Sequence, residues 1–356
     1  MAGGDLYLHP GIHGGCVPAV IFISVVIPVY RSDHILPVLC ERLVASLAAL
    51  QQPYEIILVD DRSPDDSWQV MQEMAETYPS IVAVRLSRNF GQHYAISAGL
   101  DFACGEWTVI MDCDLQDQPE EISKLLSVAE QGNDVVLARR KIRSDGLRKR
   151  LFSRLFYEMF HLLSGHRMDP AVGSFRIMRR TVVEAYRSMR EASRLFGGMV
   201  QWLGFQTAYV EVEHAPRHQG TSSYNFHAKL RLAVDGIVAF SNRPLYFSVA
   251  AGLLMSLLSV GFGLGVIVWY LLNRKIGVPG WMSIVTSVTF IGGLILLNLG
   301  ILGVYIGRIY DQTKGRPLYV VDRIVANGMQ RQSQAALVHS EEGIAGARRG
   351  ASGQGG

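Results

Sequence analysis

Cysteine is scarce in this 356-residue chain, and its spacing excludes more than its number does. Cys16, Cys40, Cys104 and Cys113 form no C-x-x-C pair and no metal-ligand pattern, so neither a disulfide framework nor a zinc site is expected. Free or buried thiols in a reducing compartment are expected instead. Residues 1–20 lack a basic segment followed by a long apolar core, so they read as a flexible N-terminus without a secretory signal, which places the folded part in the cytoplasm. Charge is sparse as well. Only 18% of residues are charged and the formal net charge is +3, too little to argue for a nucleic-acid partner. No G-x-G-x-x-G follows the first apolar strand, which excludes a dinucleotide oxidoreductase. His93, His161, His166 and His214 lack ligand spacing and read as structural.

Apolar residues, by contrast, are abundant and unevenly placed. They make up 49% of the chain, and the mean hydropathy is +0.19, with the excess between Leu245 and Gly307. Two charge-free runs, 245–272 and 281–307, each exceed the ~20 residues needed to cross a bilayer core. The short turn-like segment 273–280 between them predicts a two-helix transmembrane hairpin over 245–310. Arg243 before the first run, with Arg308, Lys314, Arg316 and Arg323 after the second, outnumber Arg274 and Lys275 in the turn. The hairpin's two ends, and the domains beyond them, are therefore expected on the cytoplasmic side. Residues 311–356 read as a cytoplasmic tail, disordered from about 326 on its Gln, Ser, Ala and Gly content.

The first part of the chain alternates apolar strands with amphipathic helices. Ile21 to Val29, Glu55 to Val59, Ile81 to Leu86 and Trp107 to Met111 read as buried strands; helices fall near 35–50, 68–78 and 93–104, and a helix–strand unit spans 125–136. This alternation predicts an α/β domain with a mostly parallel sheet, whose ligand crevice lies at the strand C-termini. The polar clusters sit at those ends. The segment Arg139 to Arg154 is basic and runs into bulky apolar residues, a mixture suited to an interfacial helix or to a core-facing one.

Directly after the fourth strand comes Asp112-Cys113-Asp114-Leu115-Gln116-Asp117, with Pro119-Glu120 opening a helix. Two carboxylates one residue apart, facing the same crevice, repel unless a cation sits between them. A hard divalent ion bridging to a diphosphate answers that need.

With this motif the chain resembles family 2 of the inverting glycosyltransferases, in the branch of dolichol-phosphate mannose synthases and bactoprenol glucosyltransferases. The resemblance runs from about Ile23 to Val321 and rests on several stretches in order: Val26-Ile27-Pro28-Val29-Tyr30, Val59-Asp60-Asp61-Arg62-Ser63-Pro64-Asp65, Ser87-Arg88-Asn89-Phe90-Gly91-Gln92, the acidic motif itself, Gly173-Ser174-Phe175-Arg176, Trp202-Leu203-Gly204-Phe205, and Arg217 to Tyr224. It implies a GT-A type catalytic domain over 21–226, followed by a juxtamembrane helix at 227–244. It implies transfer of a hexose-type sugar, with inversion, from a UDP- or GDP-sugar to polyprenyl phosphate. The protein would then sit in the cytoplasmic (inner) membrane as a multi-pass protein among membrane lipids, with a homo-oligomer allowed.

The resemblance also implies roles. Pro28, Tyr30 and Asp61 line the nucleoside pocket, and Asp112 lies near the ribose or sugar. Asp114 and Gln116 hold Mg²⁺ or Mn²⁺. Arg140 and Arg176 meet the acceptor phosphate. Arg217, on a loop with Ser222, closes over the donor diphosphate. Departures are visible: Arg31-Ser32 stand where Asn-Glu is common, Ser174 where an acid is common, and Ser223 where Lys is common. A missing base is tolerable, because a phosphate monoester with a second pKa of about 6 is already largely ionised at neutral pH. The alternatives are an idle membrane scaffold, against which the intact acidic motif argues, and a synthase acting on another acceptor. A processive polysaccharide synthase is disfavoured by the lack of a Gln-x-x-Arg-Trp motif.

Overall fold

A computed structural model of the protein describes residues 21–140, 171–192, 194–213, 241, 243–273, 280–326 and 329–332. These fall into two units: a sheet with its flanking helices, and a pair of long helices.

The first unit begins with β1 (Ile23–Val29), α1 (Leu36–Ala48), β2 (Tyr54–Asp60), α2 (Ser67–Thr77), β3 (Ile81–Leu86), α3 (Gln92–Phe102) and β4 (Trp107–Ile110). It continues through α4 (Ile122–Ala129), β5 (Val135–Arg140), β6 (Val172–Arg179), α5 (Arg180–Ser188), α6 (Phe196–Trp202) and β7 (Thr207–Val212). The strands β8 (Val321–Ala326) and β9 (Met329–Gln332) belong to the same sheet. The order across the sheet is β7-β5-β6-β4-β1-β2-β3-β8-β9. The middle, β4-β1-β2-β3, is parallel throughout. Of the nine strands only β6 and β8 run against the rest, so the sheet is mostly parallel as its alternating pattern predicts.

Both faces of the sheet are covered, which is why β1 and β2 are continuous apolar runs rather than alternating ones. On one face Val25, Ile27 and Val29 join Ile56 and Leu58 in a cluster with Leu36, Leu39, Leu43 and Leu47 of α1. On the other, α3 lies close against the strands. A Cβ added to Gly99 would stand 2.3 Å from Val26 Cγ1 and 3.1 Å from Val59 Cγ2, so only glycine permits this approach. The crossovers place every loop that follows β1 to β4 at one edge of the sheet.

The stretch read from sequence as the start of a tail carries two strands, β8 and β9. β8 pairs antiparallel with β3, Val84 opposite Ile324, and β9 pairs with β8. The physical reason is the open edge of β3, which offers unpaired backbone groups to the β-branched segment around Val321, Ile324 and Val325. Composition hides this, because the segment is short and lies beside polar residues.

The second unit holds α7 (Arg243–Asn273) and α8 (Trp281–Thr313). They meet through Ser248 donating to Asn298 Oδ1 and through the Tyr305 hydroxyl donating to the Ser241 carbonyl at 2.7 Å. Among the described residues one stretch, Phe290–Thr313, is long and apolar enough to cross a membrane, and none of it is buried. Leu245–Met255 is a shorter apolar helical stretch. The juxtamembrane segment 227–240 and the basic stretch 141–154 lie outside the described residues.

Candidate active site

Each of the four central parallel strands is followed by a residue in the left-handed region: Arg31 (φ 55°), Arg62 (φ 56°), Gly91 (φ 105°) and Leu115 (φ 57°). For a non-glycine residue this costs on the order of 1–3 kcal/mol, and such strain persists where surrounding bonds over-determine it. Those bonds are present. Asp61 N–H donates to the Val29 carbonyl at 3.0 Å. Arg31 N–H donates to Ser63 Oγ at 3.2 Å, and Ser32 N–H to Ser67 Oγ at 2.9 Å. The turns after β1 and β2 are thus stitched together.

Asp60 and Asp61 close β2 in different ways. Asp60 is fully buried; its Oδ1 accepts from Ser63 N–H at 2.8 Å and its Oδ2 lies 3.5 Å from Arg85 Nε. Asp61, 3% exposed, accepts from Phe90 N–H at 2.7 Å and from Gly91 N–H at 2.8 Å, one on each oxygen. Burial pushes both carboxyls above the ordinary carboxylate range, against the pull of these donors. Asp61 therefore fastens the β3–α3 loop, and a contact to a nucleoside would use its remaining lone pairs. Of the other expected pocket residues, Tyr30 is 43% exposed at the end of β1, with the Arg31 guanidinium 5.5 Å above its ring. Pro28 is buried inside β1 opposite Val59.

The acidic motif leaves β4 and turns over Cys113–Gln116. Cys113 packs against the core, 3.0 Å from Ser32 Oγ, while Asp112 and Asp114 on either side are half-buried. Burial pushes the Cys113 thiol up to about 11. Asp112 Oδ1 accepts from Gln92 Nε2 at 2.8 Å, and Asp114 Oδ1 accepts from Gln116 N–H at 3.1 Å. Two carboxylates and the half-buried Gln116 offer hard oxygen ligands. Among the described residues no group of three His, Cys, Asp or Glu could hold a metal alone. That set suits a Mg²⁺-like ion, which takes one or two carboxylates and completes its shell with phosphate oxygens and water.

Arg176 enters from β6, opposite Ile110 at the end of β4. It is only 5% exposed. Its guanidinium donates to the carbonyls of Ser174 at 3.0 Å and Gly173 at 2.8 Å, and lies 4.8 Å from the centre of the Phe196 ring. Burial lowers its pKa to about 10, so it remains charged at neutral pH, with the Asp112 carboxylate favouring that charge. Arg140 ends β5 opposite Val212; its side chain, and the whole of Arg217 and Ser222, lie outside the described residues.

The fold thus gathers Tyr30, Asp61, Asp112, Asp114, Gln116 and Arg176 at one edge of the strands β6-β4-β1-β2. Sequence reasoning missed the residues that hold them, above all Gln92 for Asp112 and the paired serines of the first two turns. Gln92 lay inside a quoted motif, but nothing in the chain order tied it to Asp112.

Comparison with known proteins identifies the family. Residues 24–187 match the model of glycosyl transferase family 2. The chain is 35% identical over 300 residues to an uncharacterized glycosyltransferase of Synechocystis sp., covering 84% of this chain and 94% of that protein. It is 35% identical over 306 residues to a prophage bactoprenol glucosyl transferase homolog of Escherichia coli, covering 85% and 99%. It is 36% identical over 305 residues to the bactoprenol glucosyl transferase of Shigella phage SfX, covering 84% and 98%. With its strand-end acids on a GT-A-like α/β domain, the chain belongs to glycosyl transferase family 2 and is a glycosyltransferase.

Proposed function

We propose that the protein moves a hexose-type sugar from a UDP- or GDP-sugar to polyprenyl phosphate at the cytoplasmic face of the membrane, with inversion at the anomeric carbon. The observation that carries this reading is the pairing of two half-buried carboxylates, Asp112 and Asp114, with the buried cation Arg176 on the neighbouring strand. One side suits a cation-bridged diphosphate, the other an anionic acceptor. The relatives named as bactoprenol glucosyl transferases support the acceptor class.

Asp114 and Gln116 would hold Mg²⁺ or Mn²⁺, which when bound neutralises charge on the diphosphate. Asp112, steadied by Gln92, is set to orient the ribose or sugar. Tyr30 and Pro28 form the nucleoside wall, and Asp61 keeps that wall rigid through Phe90 and Gly91. Arg176 and Arg140 lower the repulsion between the two anionic substrates, and Arg217 with Ser222 closes over the donor. The acceptor phosphate is already ionised, so the enzyme's chief tasks are to position it and to stabilise the leaving diphosphate.

The domain limits follow: catalysis in 21–226, a juxtamembrane helix at 227–244, a hairpin with spans 245–272 and 281–307, and a cytoplasmic tail beyond 310. An even number of crossings is supported by β8, which follows both helices in the chain yet lies in the same sheet as β1 to β3. The test is transfer by purified full-chain protein from labelled UDP- and GDP-sugars to undecaprenyl or dolichyl phosphate, with the product's anomeric configuration read by NMR. Labelled lipid of inverted configuration is expected; no labelled lipid from any donor would sink the reading.

A further inference from the structure

Arg176 is not the sole buried cation on its face of the sheet. Arg194, 8% exposed, donates from Nε to the Tyr186 hydroxyl at 3.2 Å and from Nη1 to the Met189 carbonyl at 2.9 Å, with its guanidinium 4.7 Å from the Tyr186 ring centre. The two arginines share one aromatic support, since the Tyr186 and Phe196 rings meet edge to face at 5.3 Å. His93, at the start of α3, is tied to the same support. Its carbonyl accepts from Ser97 Oγ at 2.7 Å, and Ser97 Oγ lies 3.0 Å from the Tyr186 hydroxyl.

A guanidinium has five N–H groups, and Arg176 and Arg194 each donate two hydrogen bonds among the described residues, all to neutral oxygens. No described carboxylate lies within ion-pair distance of either. Nδ1 of His93 is buried and makes no hydrogen bond there. Burial, then Arg176 and Arg194, hold the His93 imidazole below its ordinary range, so it stays neutral beside two cations. Leaving the buried Nδ1 of His93 unmet costs about 1–3 kcal/mol, and two buried cations on one aromatic support, with the Asp112 carboxylate acting on Arg176, favour further anionic charge beside them.

We propose that Arg194 and His93 complete, with Arg176, a buried receptor for the phosphate group of the acceptor. The inference rests on the acceptor reading above. It extends that reading by giving Arg194 a direct share of the phosphate's charge and His93 the part of a neutral hydrogen-bonding partner. A phosphate group could also reach this cluster as part of the donor, so the experiment separates the two sources.

Full-chain protein in lipid nanodiscs is compared with Arg194→Ala, Arg194→Lys and His93→Gln. Three quantities are read: thermal stabilisation by inorganic phosphate, affinity for UDP, and KM for polyprenyl phosphate. Inorganic phosphate should stabilise the wild type and not Arg194→Ala. Acceptor KM should rise by about tenfold to a hundredfold in Arg194→Ala, with partial recovery in Arg194→Lys, a smaller rise in His93→Gln, and UDP affinity unchanged. Unchanged UDP affinity also reports an intact fold; should Arg194→Ala fail to fold, Arg194→Lys and His93→Gln carry the test. Acceptor KM unmoved in the folded variants, or UDP affinity falling in step with it, overturns the inference. If phosphate binds the wild type in an Arg194-dependent way but no polyprenyl phosphate is glycosylated, the acceptor reading fails while the phosphate receptor stands.

Discussion

Arg62 donates from Nη1 to Asp322 Oδ2 at 3.0 Å, although 260 residues of chain separate the two. The bond joins the strained turn after β2 to the strand that returns after the long helices. It is reinforced nearby: Ser87 N–H donates to the Val320 carbonyl at 2.8 Å, and the Tyr319 hydroxyl donates to Asp101, which Arg190 grips at 2.8 and 3.1 Å. Residues 317–326 are therefore tied into the same compact unit as the sheet. Deleting 317–356 should expose the β3 edge, lower the melting temperature and promote aggregation. Asp322→Ala, breaking only a half-exposed pair, should cost no more than about 1 kcal/mol. A truncated protein that melts like the full chain would contradict this assignment.

Asp114→Ala is expected to abolish transfer while leaving the protein folded. EDTA should reproduce the loss in the wild type, and added Mg²⁺ or Mn²⁺ should reverse it. The side chain accepts from Gln116 N–H within its own turn, and the melting temperature should change little. Full activity in chelator would remove the metal from the proposal.

Asp61 gives stability a pH dependence whose sign follows from burial. Its carboxyl titrates above the ordinary 3.8 in the folded state, so the folded protein holds that proton more tightly than the unfolded chain. The resulting stabilisation is complete below the unfolded value and is lost as pH rises through the folded one. Asp60, raised by burial too, adds the same sign. In Asp61→Asn this loss is absent, so the melting temperature of the variant relative to wild type should climb as pH rises from about 4. A difference that stays flat, or falls, would show that the Phe90 and Gly91 donors outweigh burial.

Topology can be read by labelling. A Lys275→Cys probe should react with an impermeant thiol reagent added outside intact cells, and a Gln334→Cys probe should react only after lysis. Labelling of both from outside, or of Gln334→Cys alone, would reject the two-span arrangement or its orientation.

Local pattern determined much about this protein. Strands β1 to β4 were legible because each is a buried β-branched run, and α1 to α3 because their apolar spacing repeats at a helical period. The acidic motif was legible because a strand end followed by two acids is a local signal. Tertiary structure decided the rest. Nothing near Val321 announces a strand, because what makes it one is the open edge of β3, formed by residues more than 230 positions earlier. Nothing near Arg194 or His93 marks a site either, since an arginine after a helix and a histidine at the start of one are commonplace. They acquire meaning from the Tyr186–Phe196 support and from the lack of any described acid beside them. Burial and the clustering of charge arise only when strands and helices distant in the chain are packed together.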